Sequence, residues 1–177
     1  MEIPDSQRIR PMTEADLERV LAWRNHEDVR RFMYTQHEIG TQEHRAWFER
    51  ASLDPRRHLL VFEVDDTPRA FLAINLTSSD TVADWGFYIA PDAQPGTGQA
   101  LGTAGMRHAF VVLGLHKICG QALGYNERSI RFHERLGFIR EGVLRDQHFD
   151  GKDYHAIVCF GLLAEEWRTV QAYKSTS

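Results

Sequence analysis

The segment Trp85–Gly102 constrains the fold of this chain more than any other stretch. It reads as a strand, a loop broken by Gly96 and Gly98, and then a helix. Small side chains near the turn let backbone N–H groups approach a ligand closely. The positive end of the following helix faces whatever sits there. Together these describe a pyrophosphate cradle built from main chain. The plainer alternative is a strand-to-helix turn whose glycines serve geometry alone.

The bulk properties narrow the classes open to such a chain. Its 177 residues fit one domain spanning 1–177 with a sizeable core. The formal net charge is −4, and basic residues are mixed with acids, which argues against a nucleic-acid footprint. No apolar run approaches the ~20 residues of a membrane span, so no membrane partner is expected. Met1–Asp5 lacks a basic n-region and an apolar h-region, so it is not read as a signal peptide and a cytoplasmic location is expected. Cys119 and Cys159 lie far apart in apolar runs, which predicts buried free thiols rather than a disulfide. The nine histidines show no paired ligand spacing, so no metal is expected.

Periodicity and turn residues order the elements. Gln7–Pro11 reads as a strand. Thr13 and Asp16 look like a cap for a helix carrying Leu17, Val20 and Leu21 on one face. Asn25 reads as the cap of a second helix through Arg31, and Thr41 as the cap of a third. Strands are predicted over His58–Val64, Arg69–Leu76 and Val82–Ile89. Helix follows over Gly98–Leu113, strand over Lys117–Leu123 and helix over Asn126–Leu136, with Gly137 past its end. Gly142–Phe149 and Tyr154–Leu163 bracket a hairpin signal at Asp150-Gly151. A short helix over Glu165–Val170 closes the order. This is a mixed α/β (α+β) domain, with a mostly antiparallel sheet and helices on its faces.

With these residues placed, the chain resembles the GNAT superfamily of acetyl-CoA-dependent N-acyltransferases over nearly its whole length. The family loop reads Arg or Gln, two residues, Gly, one residue, then Gly or Ala. Gly96 and Gly98 match it, while Ala93 stands at the first position and Gln94 comes one residue late. Asn126 through Phe138 resembles the family's second cofactor-binding helix. The segments Trp23–Val29, Phe32–Tyr34, His37–Ile39 and Glu141–Asp146 are similar to one branch, the pseudaminic-acid pathway acetyltransferases. The resemblance implies a central sheet of about seven strands with a splayed pair at the cofactor site. It also implies acetyl-CoA as cofactor and a UDP-4-amino-4,6-dideoxy sugar as acceptor, acetylated directly while both are bound. Related folds often pair as homodimers.

Amine acetylation needs a neutral amine, a donor for the oxyanion and a proton for the leaving thiolate. If the strand splays after Ile89, free main-chain groups of Phe87 and Ile89 could pair with the pantetheine amides. The backbone of Gly96, Thr97, Gly98, Gln99, Ala100 and Leu101 would hold the pyrophosphate, with Gln94 beside it. Asn126, Ser129 and His133 share one helix face, with Phe132 between. Asn126 reads as a helix cap and as a pantetheine ligand, and Ser129 as a phosphate-end ligand or a solvated serine. The resemblance places His133 where many relatives carry a proton-donating tyrosine; a packed histidine is the alternative. Were His133 idle, Tyr88, Tyr125 or a water would supply the proton. Asp84 is the acid of the central strand and the candidate base, or else a solvated residue at a strand start. Asp84, Gly86 and Tyr88 share one strand face.

For the acceptor, the branch motif nominates Arg24, Asn25, Met33 and Tyr34. Arg24, Arg30 and Arg31 suit the UDP phosphates, or form a solvated basic face. Tyr34, Trp47 or Phe48 could stack on uracil or line the sugar, against the alternative of core packing. Two other functions stay open at this point. One is a ribosomal-protein-type N-terminal acetyltransferase. The other is a binding module that holds CoA or a nucleotide sugar without catalysis.

Overall fold

The computed structural model describes residues 6–176, so Met1–Asp5 lies outside the described residues. Seven strands form one sheet: β1 (Gln7–Pro11), β2 (Arg57–Val64), β3 (Thr67–Leu76), β4 (Val82–Ile89), β5 (Lys117–Leu123), β6 (Ile139–Phe149) and β7 (Tyr154–Leu163). Their spatial order is β1-β2-β3-β4-β5-β7-β6. Every neighbouring pair is antiparallel except β4 and β5. The helices are α1 (Leu17–Asn25), α2 (Glu27–Arg30), α3 (Thr41–Ser52), α4 (Thr97–Arg107), α5 (Glu127–Leu136) and α6 (Ala164–Thr176).

Strand alternation divides the molecule into two cores. On one face Leu72, Trp85 and Phe160 pack with Leu101 and Met106 of α4 and Phe132 of α5. On the other, Val61 and Phe71 pack with Val20 and Trp23 of α1 and Phe48 of α3, and Tyr88 lies against them. β4 therefore sends Trp85, Phe87 and Ile89 one way and Tyr88 the other.

Local chemistry moves several boundaries from those read in the sequence. Asp65 and Asp66 both take left-handed φ, 49° and 58°, and make a two-residue turn, so β3 starts early at Thr67. α2 is capped by His26, whose Nδ1 accepts from Asp28 N–H at 3.3 Å, and not by Asn25. The Asn25 amide instead bonds both main-chain groups of Ile39, at 2.8 and 2.9 Å. Gly40, not Thr41, is the cap residue of α3. α4 ends at Arg107 and widens into a π-helical turn over His108–Val112. α5 ends as expected, with Gly137 at φ 95°. Cys119 and Cys159 are free but only half-buried.

A buried ion network ties β1 to β2 and α1. Arg10 donates to Asp16 at 2.7 and 2.8 Å and to Glu63 at 2.7 Å, and Arg8 reaches Glu63 at 2.6 Å. Burial is the largest single effect and pushes both carboxyls up, but the hydrogen bonds and charges of the arginines, joined at Asp16 by two hydrogen bonds from Thr13, together hold both below their ordinary values. A carboxyl depressed by folding contributes stability above its unfolded pKa, and that contribution is lost as pH falls through the folded value. Stability should therefore decline as pH drops below about 4. Arg10→Leu should cost about 1–3 kcal/mol at pH 7, because buried Asp16 loses its arginine and Glu63 keeps only Arg8. Urea melts of both proteins at pH 7 and pH 3.5 check this: the gap between them should narrow at the lower pH.

Candidate active site

β4 and β5 pair through Val82↔Lys117, Ala83↔Ile118 and Asp84↔Cys119, and then part. The sequence reading puts this parting after Ile89; the structure puts it after Asp84. From there β4 runs on to Ile89 and β5 to Leu123 with an opening between them. Val82 C=O and Ala90 N–H bond toward the β3 side, to Thr77 N–H and Arg69 C=O at 2.9 and 2.8 Å. Alternation therefore aims the main-chain groups of Phe87 and Ile89 into the opening. Unpaired strand groups of this kind can pair with an extended amide-bearing ligand.

The start of α4 stands beside that opening. Gly96 caps it at φ 95°, a conformation that favours glycine. A Cβ on Gly98 would lie 3.2 Å from Ile89 Cδ1, so the loop rests directly on the end of β4. Three of the six main-chain donors nominated from sequence are already engaged, Leu101 N–H among them through the helix's own i to i−4 bond to Thr97 C=O. Thr97 N–H donates to Gln94 C=O at 3.2 Å, and Ala100 N–H to Gly96 C=O at 3.1 Å. Thr97 Oγ1 also donates to Gln94 C=O, at 2.8 Å. Leu101 is fully buried in the core. Gly98 and Gln99 N–H have no protein acceptor among the described residues, and they carry the positive end of the helix. Gln94 itself is exposed.

α5 closes the other side. Asn126 Oδ1 caps it by accepting from Ser129 N–H at 3.1 Å. Phe132 packs its ring 4.9 Å from that of Phe87. His133 requires a correction. It is 1% exposed, and both ring nitrogens are engaged. Trp85 Nε1–H can only donate, so His133 Nε2 accepts it at 3.1 Å. The proton is then on Nδ1, which donates to Ser129 C=O at 2.8 Å. Burial lowers its pKa and keeps the ring neutral. As placed, His133 has no free N–H for a leaving group. The sequence shows the i, i+4 spacing to Ser129, but not that the ring folds back onto its carbonyl.

A cavity of about 330 Å³ lies on the opposite face of β4, lined by Arg24, Ile39, Glu43, His44, Trp47, Arg50, Phe71 and Tyr88. It unites three of the nominated residues: Arg24, Trp47 and Tyr88. Tyr88 is largely buried, which pushes its phenol well above the ordinary value, with the Arg24 charge opposing. Its hydroxyl has no hydrogen-bond partner among the described residues, so it is a protonated donor facing free space. Asp84 is on the same strand face but four residues away, roughly 13 Å along the strand. It is exposed, it does not line the cavity, and partial burial raises its pKa. Asp84 and Tyr88 are thus not brought together.

The other nominated acceptor residues stand elsewhere. Asn25 clamps Ile39, as described above. Arg31 pairs with Asp28 at 3.1 Å and covers the Phe32 ring, while Arg30 faces Glu38 at 3.8 Å. Met33 is half-buried outside the cavity wall. Tyr34 donates to Gln121 Oε1 at 2.7 Å and lies by His148. Tyr125 is committed too, donating to Arg31 C=O at 3.1 Å. Sequence reasoning missed His44, Glu43, Arg50 and Phe71. The spacing of His44 and Trp47 on α3 was the available signal.

The comparisons agree with this geometry. Residues 8–139 match the model of the acetyltransferase (GNAT) domain. The chain belongs to the GNAT acetyltransferase family, and it is an N-acetyltransferase that uses acetyl-CoA. It is 24% identical over 128 residues to the acetyltransferase PseH of Campylobacter jejuni, covering 72% of this chain and 79% of PseH. It is 34% identical over 86 residues to the SPbeta prophage-derived N-acetyltransferase YokL of Bacillus subtilis, covering 47% of this chain and 49% of YokL. The chain thus matches about half of YokL's length. In structure it is similar to the spermidine N-acetyltransferase of Vibrio cholerae solved with CoA and spermine. The TM-score is 0.83 at 17% identity, over 92% of this chain and 98% of that one. The splayed, mostly antiparallel seven-stranded sheet is the GNAT fold. Among the described residues no helix is long and apolar enough to cross a membrane.

His133→Gln keeps an acceptor for Trp85 N–H. It should leave kcat within about threefold of wild type and preserve both limbs of the pH–rate profile. The cost should appear in the denaturation midpoint instead. Loss of a limb in the pH–rate profile would return His133 to the chemistry.

Proposed function

We propose that this enzyme acetylates the 4-amino group of a UDP-4-amino-4,6-dideoxy sugar, a step of the kind found in pseudaminic-acid synthesis. The observation that carries this reading is the cavity beside Tyr88. It joins a buried guanidinium to aromatic walls and holds two arginines against one glutamate. An anionic, ring-bearing acceptor suits that lining; a polycation does not. The 24% identity to PseH supports the same reading.

The residue roles follow from the placement described. Acetyl-CoA, when bound, supplies an activated acetyl thioester. Main-chain groups of Phe87 and Ile89 hold its amide-bearing arm, and Gly98 and Gln99 N–H with the Gly96 turn hold its diphosphate. Asn126, Ser129 and Phe132 border the same opening from α5. Tyr88 O–H is a donor on β4 with no partner among the described residues, and it takes the proton-donating role in place of His133. Arg24 meets a phosphate or sugar oxygen, and Trp47 lines the ring. Asp84 can reach an amine in the cavity only through water.

Thiol release with an acceptor panel tests the reading. Turnover should be robust with UDP-4-amino-4,6-dideoxy-N-acetyl-β-L-altrosamine, and weak with spermidine or a peptide bearing a free N-terminus. Preference for the peptide transfers the assignment to protein N-terminal acetylation, and binding of acetyl-CoA without transfer to any amine transfers it to a binding module. Tyr88→Phe should lower kcat by on the order of 100-fold with the acetyl-CoA KM little changed, as for loss of a donor used only in the transition state. Unchanged kcat would leave the donor role to water.

A further inference from the structure

We infer that Arg24 and His44 together form a hydroxyl-reading subsite in the acceptor cavity, which selects a hydroxylated amine over a polyamine. The inference rests on the cavity being the acceptor site, as proposed above. Arg24 is 8% exposed and His44 5%. Arg24 Nη2 donates to Thr35 C=O at 2.6 Å, which fixes the guanidinium. Its Nη1 is buried and has no hydrogen-bond partner among the described residues. His44 faces the main-chain carbonyl of Leu17, which favours the proton on Nδ1. Its Nε2 is likewise buried without a partner among the described residues. The ring is held flat against Trp47, with centroids 5.1 Å apart and planes 20° apart. Burial, with the Arg24 charge in support, lowers the His44 pKa and keeps Nε2 a lone pair.

The two orphan atoms have opposite needs. Arg24 Nη1–H requires an acceptor, and His44 Nε2 requires a donor. A carboxylate or phosphate oxygen satisfies Arg24 alone. An ammonium satisfies His44 alone and is repelled by Arg24. A hydroxyl satisfies both, accepting from the guanidinium and donating to the imidazole. Each unsatisfied buried group carries a desolvation penalty, so the ligand that answers both is favoured over one that answers either. Trp47, Phe71 and Tyr88 then offer aromatic faces to the C–H side of a sugar ring. The cavity is of a size for a small polar ligand or one ring of a larger one.

The test uses acceptor pairs that differ in hydroxyl content. One pair is the UDP-4-amino sugar, whose pyranose keeps a free 3-hydroxyl, and its 3-deoxy analogue. The other is D-glucosamine and cyclohexylamine. Spermidine is run beside them. Wild type, His44→Leu and His44→Gln are compared by thiol release, with circular dichroism to establish folding. Wild type should prefer the hydroxylated member in kcat/KM by on the order of 10- to 100-fold. His44→Leu should reduce that preference to about threefold or less with the acetyl-CoA KM unchanged, and His44→Gln, which retains an acceptor oxygen, should keep part of it. The same preference in all three proteins overturns the subsite and leaves the nucleotide-sugar reading intact. A His44-dependent preference confined to the glucosamine pair supports the subsite and overturns the nucleotide sugar. Equal use of both members by wild type, or turnover of spermidine alone, overturns the subsite, and acetylation of no acceptor overturns both.

Discussion

The hydrogen bond from Trp85 to His133 spans the place where the sheet divides. Trp85 stands on β4 immediately after pairing with β5 ends, and His133 stands on the helix that β5 leads into. The bond therefore joins the two banks of the opening by their core-facing side chains. Gly120 makes room for it. A Cβ there would come within 2.5 Å of His133 Nε2 and 2.8 Å of Trp85 Nε1. Both rings are rigid, so neither could yield without moving its backbone. The surrounding rings complete the plug: Phe160 stacks on His133 at 4.8 Å, and Phe138 on Trp85 at 5.4 Å. An open, hydratable seam in a sheet is costly in unpaired main-chain groups. Here the seam is rigid underneath and keeps its free groups for a ligand.

From that seam the function divides by parity along one strand. Odd-numbered residues of β4 send side chains into the plug and main-chain groups into the opening. Tyr88 sends its side chain to the opposite face, into the cavity with Arg24 and Trp47. One strand thus offers its backbone to the opening and a side chain to the cavity.

Much of this was legible in the sequence. β4, β5 and β7 have the bounds that alternation and turn residues predicted, because their ends are fixed by local chemistry. The turn into α4 was readable from its glycines: Gly96 takes a positive φ, and Gly98 lies close against Ile89. What escaped was set by contacts distant in sequence. His133 reads as a donor from its place in the family resemblance, which does not show that its partner Trp85, 48 residues away, occupies the ring. Asn25 looked like a cap, but its amide is taken by Ile39 across a loop. The rings that fill the parting of β4 and β5 come from β4, α5, β7 and the segment before β6, and no periodicity encodes their meeting. The spacing of His44 to Trp47 was weak evidence, because a lone helix histidine next to aromatics usually means packing; an unpartnered nitrogen in a cavity distinguishes it.

The fold alone does not decide the acceptor. The Vibrio cholerae enzyme shares this backbone at a TM-score of 0.83, and its structure holds spermine. A polyamine site must gather carboxylates, because each ammonium taken from water needs a counter-charge or several acceptors. The cavity beside Tyr88 does the reverse: Glu43 is its one acid, set against Arg24 and Arg50. Arg24 is also the least adjustable of these groups, being buried and fixed to Thr35 C=O. A cation entering would meet that charge at low dielectric, where repulsion is strongest. The charge of one buried side chain, more than the shape of the sheet, therefore weighs against a cation in the cavity beside Tyr88.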